Sequence, residues 1–205
     1  MTARDTRGVY RRVAPFYDIL DLSFEQRRYQ ALRPLLFEGA SGAVLDAGVG
    51  TGRNMAFYPP GSRAVGIDLS WPMLRRAARR RAQATADTAL AAMDVCALAF
   101  ADDSFDRIAS SFLFCVLDAD RQLPALKELA RVCKPAGEIR VLEYALSEDP
   151  YRRFVMRLWT PWVRLVYGAR FDRDTERYVP AAGLELIERR FLYRDVIKML
   201  VLRPR

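Results

Sequence analysis

Three glycines at alternate positions, Gly48, Gly50 and Gly52, follow the run Val44-Leu45-Asp46-Ala47, and a second acid, Asp68, closes the next apolar run, Arg63 to Asp68. A residue without Cβ takes positive φ readily and lets a ligand lie directly against the main chain, so a strand running into this loop suits a ligand site. Asn54 to Tyr58 reads as a short helix whose unpaired N–H groups face the same spot. Asp68 stands 20 positions after Gly48, about the separation at which an acid ending a second strand reaches a ribose held over the first. The dinucleotide fingerprint fits poorly: it asks for glycine at the sixth position counted from Gly48, and that position is Arg53.

The flanking sequence supplies elements to hold these residues. Ser70 is a candidate N-cap and Pro72 falls in the first turn of a helix continuing through Leu74, Ala77 and Ala78. That helix carries Arg75, Arg76, Arg79, Arg80 and Arg81 without a compensating acid, a solvated face or a phosphate site. Ala89 to Met93 reads as a third strand ending in Asp94-Val95, and Arg107 to Phe114 as a fourth. An amphipathic helix over 120–133, with Leu126, Leu129 and Cys133 inward, leads through the turn Lys134 to Gly137 into a fifth strand, Glu138 to Tyr144. After a long connection, Leu184 to Tyr193 and Val196 to Leu202 form a closing hairpin. The alternation predicts an α/β fold: a doubly wound, mostly parallel seven-stranded sheet with helices on both faces and a C-terminal antiparallel hairpin. One domain over 1–205 is expected, with 1–38 as a helical lid and 146–183 as a helical insertion.

Together with Phe100-Ala101-Asp102-Asp103-Ser104-Phe105-Asp106, the glycine loop and Asp68 resemble the class I S-adenosylmethionine (SAM)-dependent methyltransferases over roughly residues 40 to 145. Val13-Ala14-Pro15-Phe16-Tyr17-Asp18 is similar to the entry segment of the quinone-biosynthesis C-methyltransferases and bacterial phospholipid N-methyltransferases, where it closes over the cofactor. The resemblance implies SAM as cofactor, S-adenosylhomocysteine as product, and no metal. It implies that the backbone at Gly48, Gly50 and Gly52 holds the methionine part and that Asp46 orients its ammonium group. Asp68 would take the ribose hydroxyls, Asp94 and Val95 would flank the adenine, and Asn54, Leu69, Met73 and Ser111 would complete the cofactor set.

The acceptor is expected over the carboxyl ends of strands four and five, near Ser110, Phe112, Phe114, Cys115, Glu143 and Tyr144, with Tyr17 approaching from the lid. Tyr17, Glu143 and Tyr144 are the candidate catalytic residues, each with a structural reading beside the chemical one. Since the sulfonium already activates the methyl group, alignment carries much of the catalysis, about 7–11 kcal/mol in favourable systems.

Composition narrows the field. The chain has 205 residues, 51% of them apolar and 28% charged, as expected of a soluble globular protein. No apolar run approaches the roughly 20 residues of a membrane span and the basic N-terminus lacks a signal-peptide core, so a cytoplasmic location is expected. There is no histidine, which removes the commonest general base and the usual triads, and the three cysteines lack metal-ligand spacing. The net charge is +8, and about +7 of it lies in residues 151–205.

The predicted reaction is methyl transfer to a small lipophilic or lipid acceptor, of the phosphatidylethanolamine or quinone-precursor type. A thiol S-methyltransferase is an alternative, since Phe57-Tyr58-Pro59-Pro60-Gly61 resembles the membrane-associated thiol methyltransferases of animals. A nucleic-acid methyltransferase is not expected: Ser110-Ser111-Phe112-Leu113 lacks the N/D-P-P-Y/F signature of many adenine N-methylating enzymes. A non-catalytic scaffold is disfavoured by the intact acids at 46, 68 and 94. Within 151–170, Phe154, Val155, Leu158, Trp159, Trp162, Leu165 and Val166 form an apolar arc opposite Arg153, Arg157 and Arg164. That pattern fits a helix lying on an anionic membrane surface and, equally, the wall of a substrate pocket, with Pro161 leaving one helix or two open.

Overall fold

The computed structural model describes residues 29–84 and 86–205. Tyr17 and most of the expected lid lie outside the described residues. Seven strands, β1 (Ala43–Ala47), β2 (Arg63–Asp68), β3 (Asp87–Ala92), β4 (Phe105–Ser111), β5 (Cys133–Tyr144), β6 (Leu184–Tyr193) and β7 (Ile197–Pro204), form one sheet in the order β3-β2-β1-β4-β5-β7-β6. Neighbours from β3 to β5 pair in parallel, and β7 runs antiparallel to both β5 and β6. In β1, Val44, Leu45, Asp46 and Ala47 are all buried, as befits a central parallel strand covered on both faces.

Three longer helices are described: α1 (Trp71–Arg80), α2 (Ala119–Val132) and α3 (Pro150–Tyr167). Leu126 and Leu129 of α2 pack on Leu45, Ile108 and Ile139 at one face of the sheet. Leu74 and Ala77 of α1 pack with Val44, Ala64 and Ala109 on the other. Strand order reverses between β1 and β4, and the carboxyl ends at that reversal leave the crevice in which open α/β sheets bind ligands.

Several boundaries differ from the sequence reading for identifiable reasons. β4 stops at Ser111 because Phe112 takes φ 55°, a left-handed conformation that no strand continues through. Cys133 opens β5 and does not belong to α2; the pairing jumps from Phe105↔Cys133 to Arg107↔Glu138, which absorbs the expected turn as an excursion within the strand. Ser70 sits at the N-cap of α1 but makes no capping bond with its side chain; Asp68 Oδ1 instead accepts the Ser70 N–H at 2.7 Å.

α3 is one helix through Pro161, and none of residues 150–165 is buried. It is tied to the body at its ends. Before it, the Asp195 carboxylate accepts the Ser147 hydroxyl at 2.6 Å and the Glu148 N–H at 2.8 Å, and Arg152 pairs with Asp195 at 3.1 Å. After it, Gly168 closes the helix in the left-handed region and the Arg170 N–H donates to the Cys115 carbonyl at 2.9 Å. Among the described residues no helix is long and apolar enough to cross a membrane.

Candidate functional site

A cavity of about 790 Å³ lies at these strand ends, with the glycine loop, the ends of β2, β4 and β5 and one side of α3 on its wall. The Gly48 and Val49 N–H groups donate to the Ile67 carbonyl at 2.9 and 2.8 Å, stitching the loop to β2. Gly50, at φ 55°, lines the cavity, and a Cβ built there would meet nothing nearer than 3.9 Å, so the main chain stays open to a ligand. Gly52 does something else: its Cβ would stand 3.0 Å from Cα of Ala77, so this glycine serves the packing of loop on α1 and does not reach the wall.

Asp68 lines the cavity and accepts the Gly50 N–H on one oxygen at 3.0 Å and the Ser70 N–H on the other. Burial pushes its carboxyl up, against the opposing pull of the Ser70 and Gly50 N–H groups. A carboxylate oxygen has two lone pairs, so each can still accept from a hydroxylated ligand. Leu69 and Met73 stand beside it on the wall. Val95 and Asp94 line the cavity too, Asp94 accepting the Cys96 N–H at 3.0 Å and pairing with Arg121. Burial works against the charge of Asp94, but the Cys96 N–H and the Arg121 guanidinium outweigh it and hold the carboxyl below its usual range.

Beneath the loop lies a buried polar knot. Asp46 accepts both Asn54 contacts, at 3.0 and 3.1 Å, and the Tyr58 hydroxyl at 2.7 Å. Asn54 Oδ1 accepts from Arg33 at 2.6 Å, and Ser111 Oγ lies 3.3 Å from Arg33 and 3.1 Å from Asn54. Asp46 and Asn54 therefore do not reach the cavity, contrary to the sequence expectation; their polar atoms are occupied with each other, while Arg33 and Ser111 are on the wall. Burial lifts the Asp46 carboxyl to about 6, opposed by Tyr58, Asn54 and the charge of Arg33.

At the other end of the cavity the wall is aromatic. The Tyr29 and Tyr144 hydroxyls share a 2.5 Å hydrogen bond, the Phe112 ring lies 4.9 Å from each of their rings, and Phe171 meets Tyr144 edge-on at 5.2 Å. The Phe112 N–H donates to the Leu142 carbonyl at 2.7 Å as the last bond of the β4–β5 ladder, and the left-handed turn at Phe112 swings the ring onto this wall. Cys115 lines the cavity as a thiol, its Sγ–H directed at the Phe112 carbonyl at 3.0 Å and burial pushing its pKa far up. Ser110 and Phe114 are buried away from the wall.

Glu143 is also absent from the wall. Side chains alternate along a strand, so with Tyr144 on the cavity side, Glu143 points through the opposite face. There it accepts the Thr175 hydroxyl at 2.7 Å and lies 3.3 Å from Lys198 Nζ. Burial raises its carboxyl, with Lys198 and Thr175 pulling the other way.

Val155, Met156, Trp159, Trp162 and Val163 of α3 complete the apolar end, the two indoles meeting edge-on at 5.8 Å. The sequence reading missed Arg33, Tyr29, Arg121 and Phe171. Arg33 bonds to partners 21 and 78 positions away and Tyr29 to one 115 away, distances at which no local pattern signals a contact. Among the described residues, no group of three or more His, Cys, Asp or Glu side chains is arranged to hold a metal ion.

The chain belongs to the class I SAM-dependent methyltransferases. A methyltransferase domain family matches residues 44–137. The ubiquinone/menaquinone biosynthesis C-methyltransferase UbiE of Syntrophotalea carbinolica is 33% identical, over 86% of this chain and 77% of that one. The demethylmenaquinone methyltransferase of Thermobifida fusca is 36% identical, over 78% and 71%. Among solved structures, the geranyl diphosphate C-methyltransferase of Streptomyces coelicolor, bound to Mg²⁺, geranyl diphosphate and S-adenosylhomocysteine, shares the fold with a TM-score of 0.69 at 13% identity, over 93% of this chain and 86% of that one. A Pyrococcus horikoshii protein superposes with a TM-score of 0.71 at 19% identity, over 96% and 98%.

Proposed function

We propose that this methyltransferase alkylates a lipophilic acceptor of the quinone-precursor type, bound at the aromatic end of the cavity and drawn from the cytoplasmic face of a membrane. The observation that carries the reading is the composition of that end: Phe112, Tyr144, Met156, Trp159, Trp162 and Phe171 make a wall suited to a flat apolar ring system, with the paired Tyr29 and Tyr144 hydroxyls as a polar point on it. The named relatives in ubiquinone and menaquinone biosynthesis support the same acceptor class.

In this reading Asp68 takes the ribose hydroxyls of the cofactor, Asp94 and Val95 flank the adenine, and Leu69 and Met73 pack beside them. The open backbone at Gly50, with Gly48, Arg33 and Ser111 beside it on the wall, receives the amino-acid end. Bound there, the cofactor supplies a methyl group already activated on sulfonium. The chain's own contribution is alignment: the aromatic wall fixes the plane of the acceptor and the tyrosine pair orients its hydroxyl. Among the described residues, Asp68, Asp94 and Asp118 are the acids on the wall, and each is already engaged, with Gly50 and Ser70, with Arg121, and with Arg173 at 3.5 Å. In this reading Tyr144, on the aromatic wall and bonded to Tyr29, is the described residue that handles the acceptor.

The test is methyl transfer from labelled cofactor to a demethylated quinol, to phosphatidylethanolamine and to an alkyl thiol in parallel. Label should enter the quinol. Label confined to the phospholipid or the thiol would replace this acceptor class.

A further inference from the structure

We infer that the outer side of α3 is a docking surface for an anionic lipid bilayer, on the same helix whose inner side walls the acceptor end of the cavity. The purpose of such docking rests on the lipophilic acceptor proposed above; its physics rests on α3.

α3 presents three sides. Val155, Met156, Trp159 and Val163 face the cavity. Tyr151, Phe154, Leu158 and Leu165 face outward with exposures of 76%, 65%, 69% and 76%, large apolar side chains at helical spacing and on one side. Arg153, Arg157 and Arg164 repeat the Phe154, Leu158, Leu165 spacing one position earlier, so a basic row borders the apolar one. The eighteen residues of α3 include four arginines and no acid. A continuous exposed apolar strip is uncommon on a protein that meets only water.

Charge selects the occupant. A second copy docked through this side would set two acid-free, arginine-bearing helices against each other. Residues 1–28 contain six arginines against four acids, the same sign as α3. An anionic bilayer has the opposite sign, and its acyl boundary accepts the apolar row while its headgroups meet the arginines. Because α3 is anchored at its ends and none of residues 150–165 is buried, the helix can lie in the interface while its inner tryptophans still border the cavity. An acceptor leaving the bilayer beside α3 then enters the cavity without crossing bulk water.

The test uses the full chain with vesicles of phosphatidylglycerol and phosphatidylcholine, compared with pure phosphatidylcholine, by co-sedimentation and by intrinsic fluorescence. Two of the three tryptophans, Trp159 and Trp162, lie in α3 and border the cavity yet are 54% and 42% exposed, so settling the helix into the interface should shift emission to the blue. The wild type should sediment with anionic vesicles and be released by salt. Removing an arginine should weaken partition about fivefold, so Arg157→Ala with Arg164→Ala should lose roughly 25-fold. Phe154→Ser with Leu158→Ser should also weaken it, and unchanged cofactor binding by calorimetry will show that both variants are folded.

The inference is overturned if the wild type stays in the supernatant at low salt, or if both variants sediment as the wild type does. It is also overturned if the free chain is a dimer that Leu158→Glu makes monomeric, which would assign this side to a second copy. A protein that binds vesicles but methylates no quinol upholds the docking and removes the proposed reaction.

Discussion

The Asp68 carboxylate accepts the Gly50 N–H at 3.0 Å, so the acid that ends β2 holds the loop that ends β1. A hydrogen bond to a charged group is worth about 1.5–3 kcal/mol, so Asp68→Ala should weaken binding of SAM roughly ten- to a hundredfold, and NAD should not compete. Calorimetry on the folded variant checks this; wild-type affinity would remove Asp68 from the ribose site.

The Tyr29–Tyr144 pair leads to a second expectation. Tyr144→Phe deletes one hydroxyl of the pair and leaves the ring in its aromatic contacts with Phe112 and Phe171. Turnover should fall roughly tenfold while cofactor affinity stays constant, because only acceptor positioning is lost. Steady-state kinetics alongside cofactor titration separate the two effects, and an unchanged kcat would return Tyr144 to packing.

Glu143→Gln should behave in the opposite way. The amide can still accept the Thr175 hydroxyl, Lys198 keeps its pairing with Glu176, and burial raises the Glu143 carboxyl, so the lost charge is one the fold disfavours and stability should hold or rise slightly. Turnover and its pH profile should be those of the wild type. A lost acidic limb in the profile would make Glu143 a participant in proton removal despite its position.

Asp46 should leave a signature in stability against pH. Its folded pKa, about 6, lies above the unfolded 3.8, so its contribution is fully present below 3.8 and is lost as pH rises through about 6. The shift corresponds to about 3 kcal/mol across that window. Denaturant midpoints of wild type and Asp46→Asn, measured from below the lower value to above the upper one, should diverge in slope by this amount, the wild type declining more steeply toward neutral pH. Parallel curves would show that Asp46 ionises in the folded protein as easily as in the unfolded chain.

What the sequence determined by itself is what local rules govern. Apolar runs and glycine spacing marked β1, the loop and β2, since strand propensity and positive φ are properties of a few adjacent residues. The acid at 68 was legible for the same reason: its distance from the loop is a count along the chain, and the parallel βαβ unit converts that count into a position in space. Strand alternation was legible too and already opposes Glu143 to Tyr144, although only the cavity on one face says which of the two belongs to the site. Tertiary structure alone decided the rest. Asp46 and Asn54 turned inward because Arg33 and Ser111, brought from two other segments, satisfy them under the loop together with Tyr58 from the end of Asn54's own short helix. Phe112 left β4 by a left-handed turn just after its N–H made the last ladder bond to Leu142 on β5, and Tyr144 acquired its hydroxyl partner from Tyr29, 115 positions away. Contacts of that range depend on which elements the sheet brings together, and no pattern within either segment records the other.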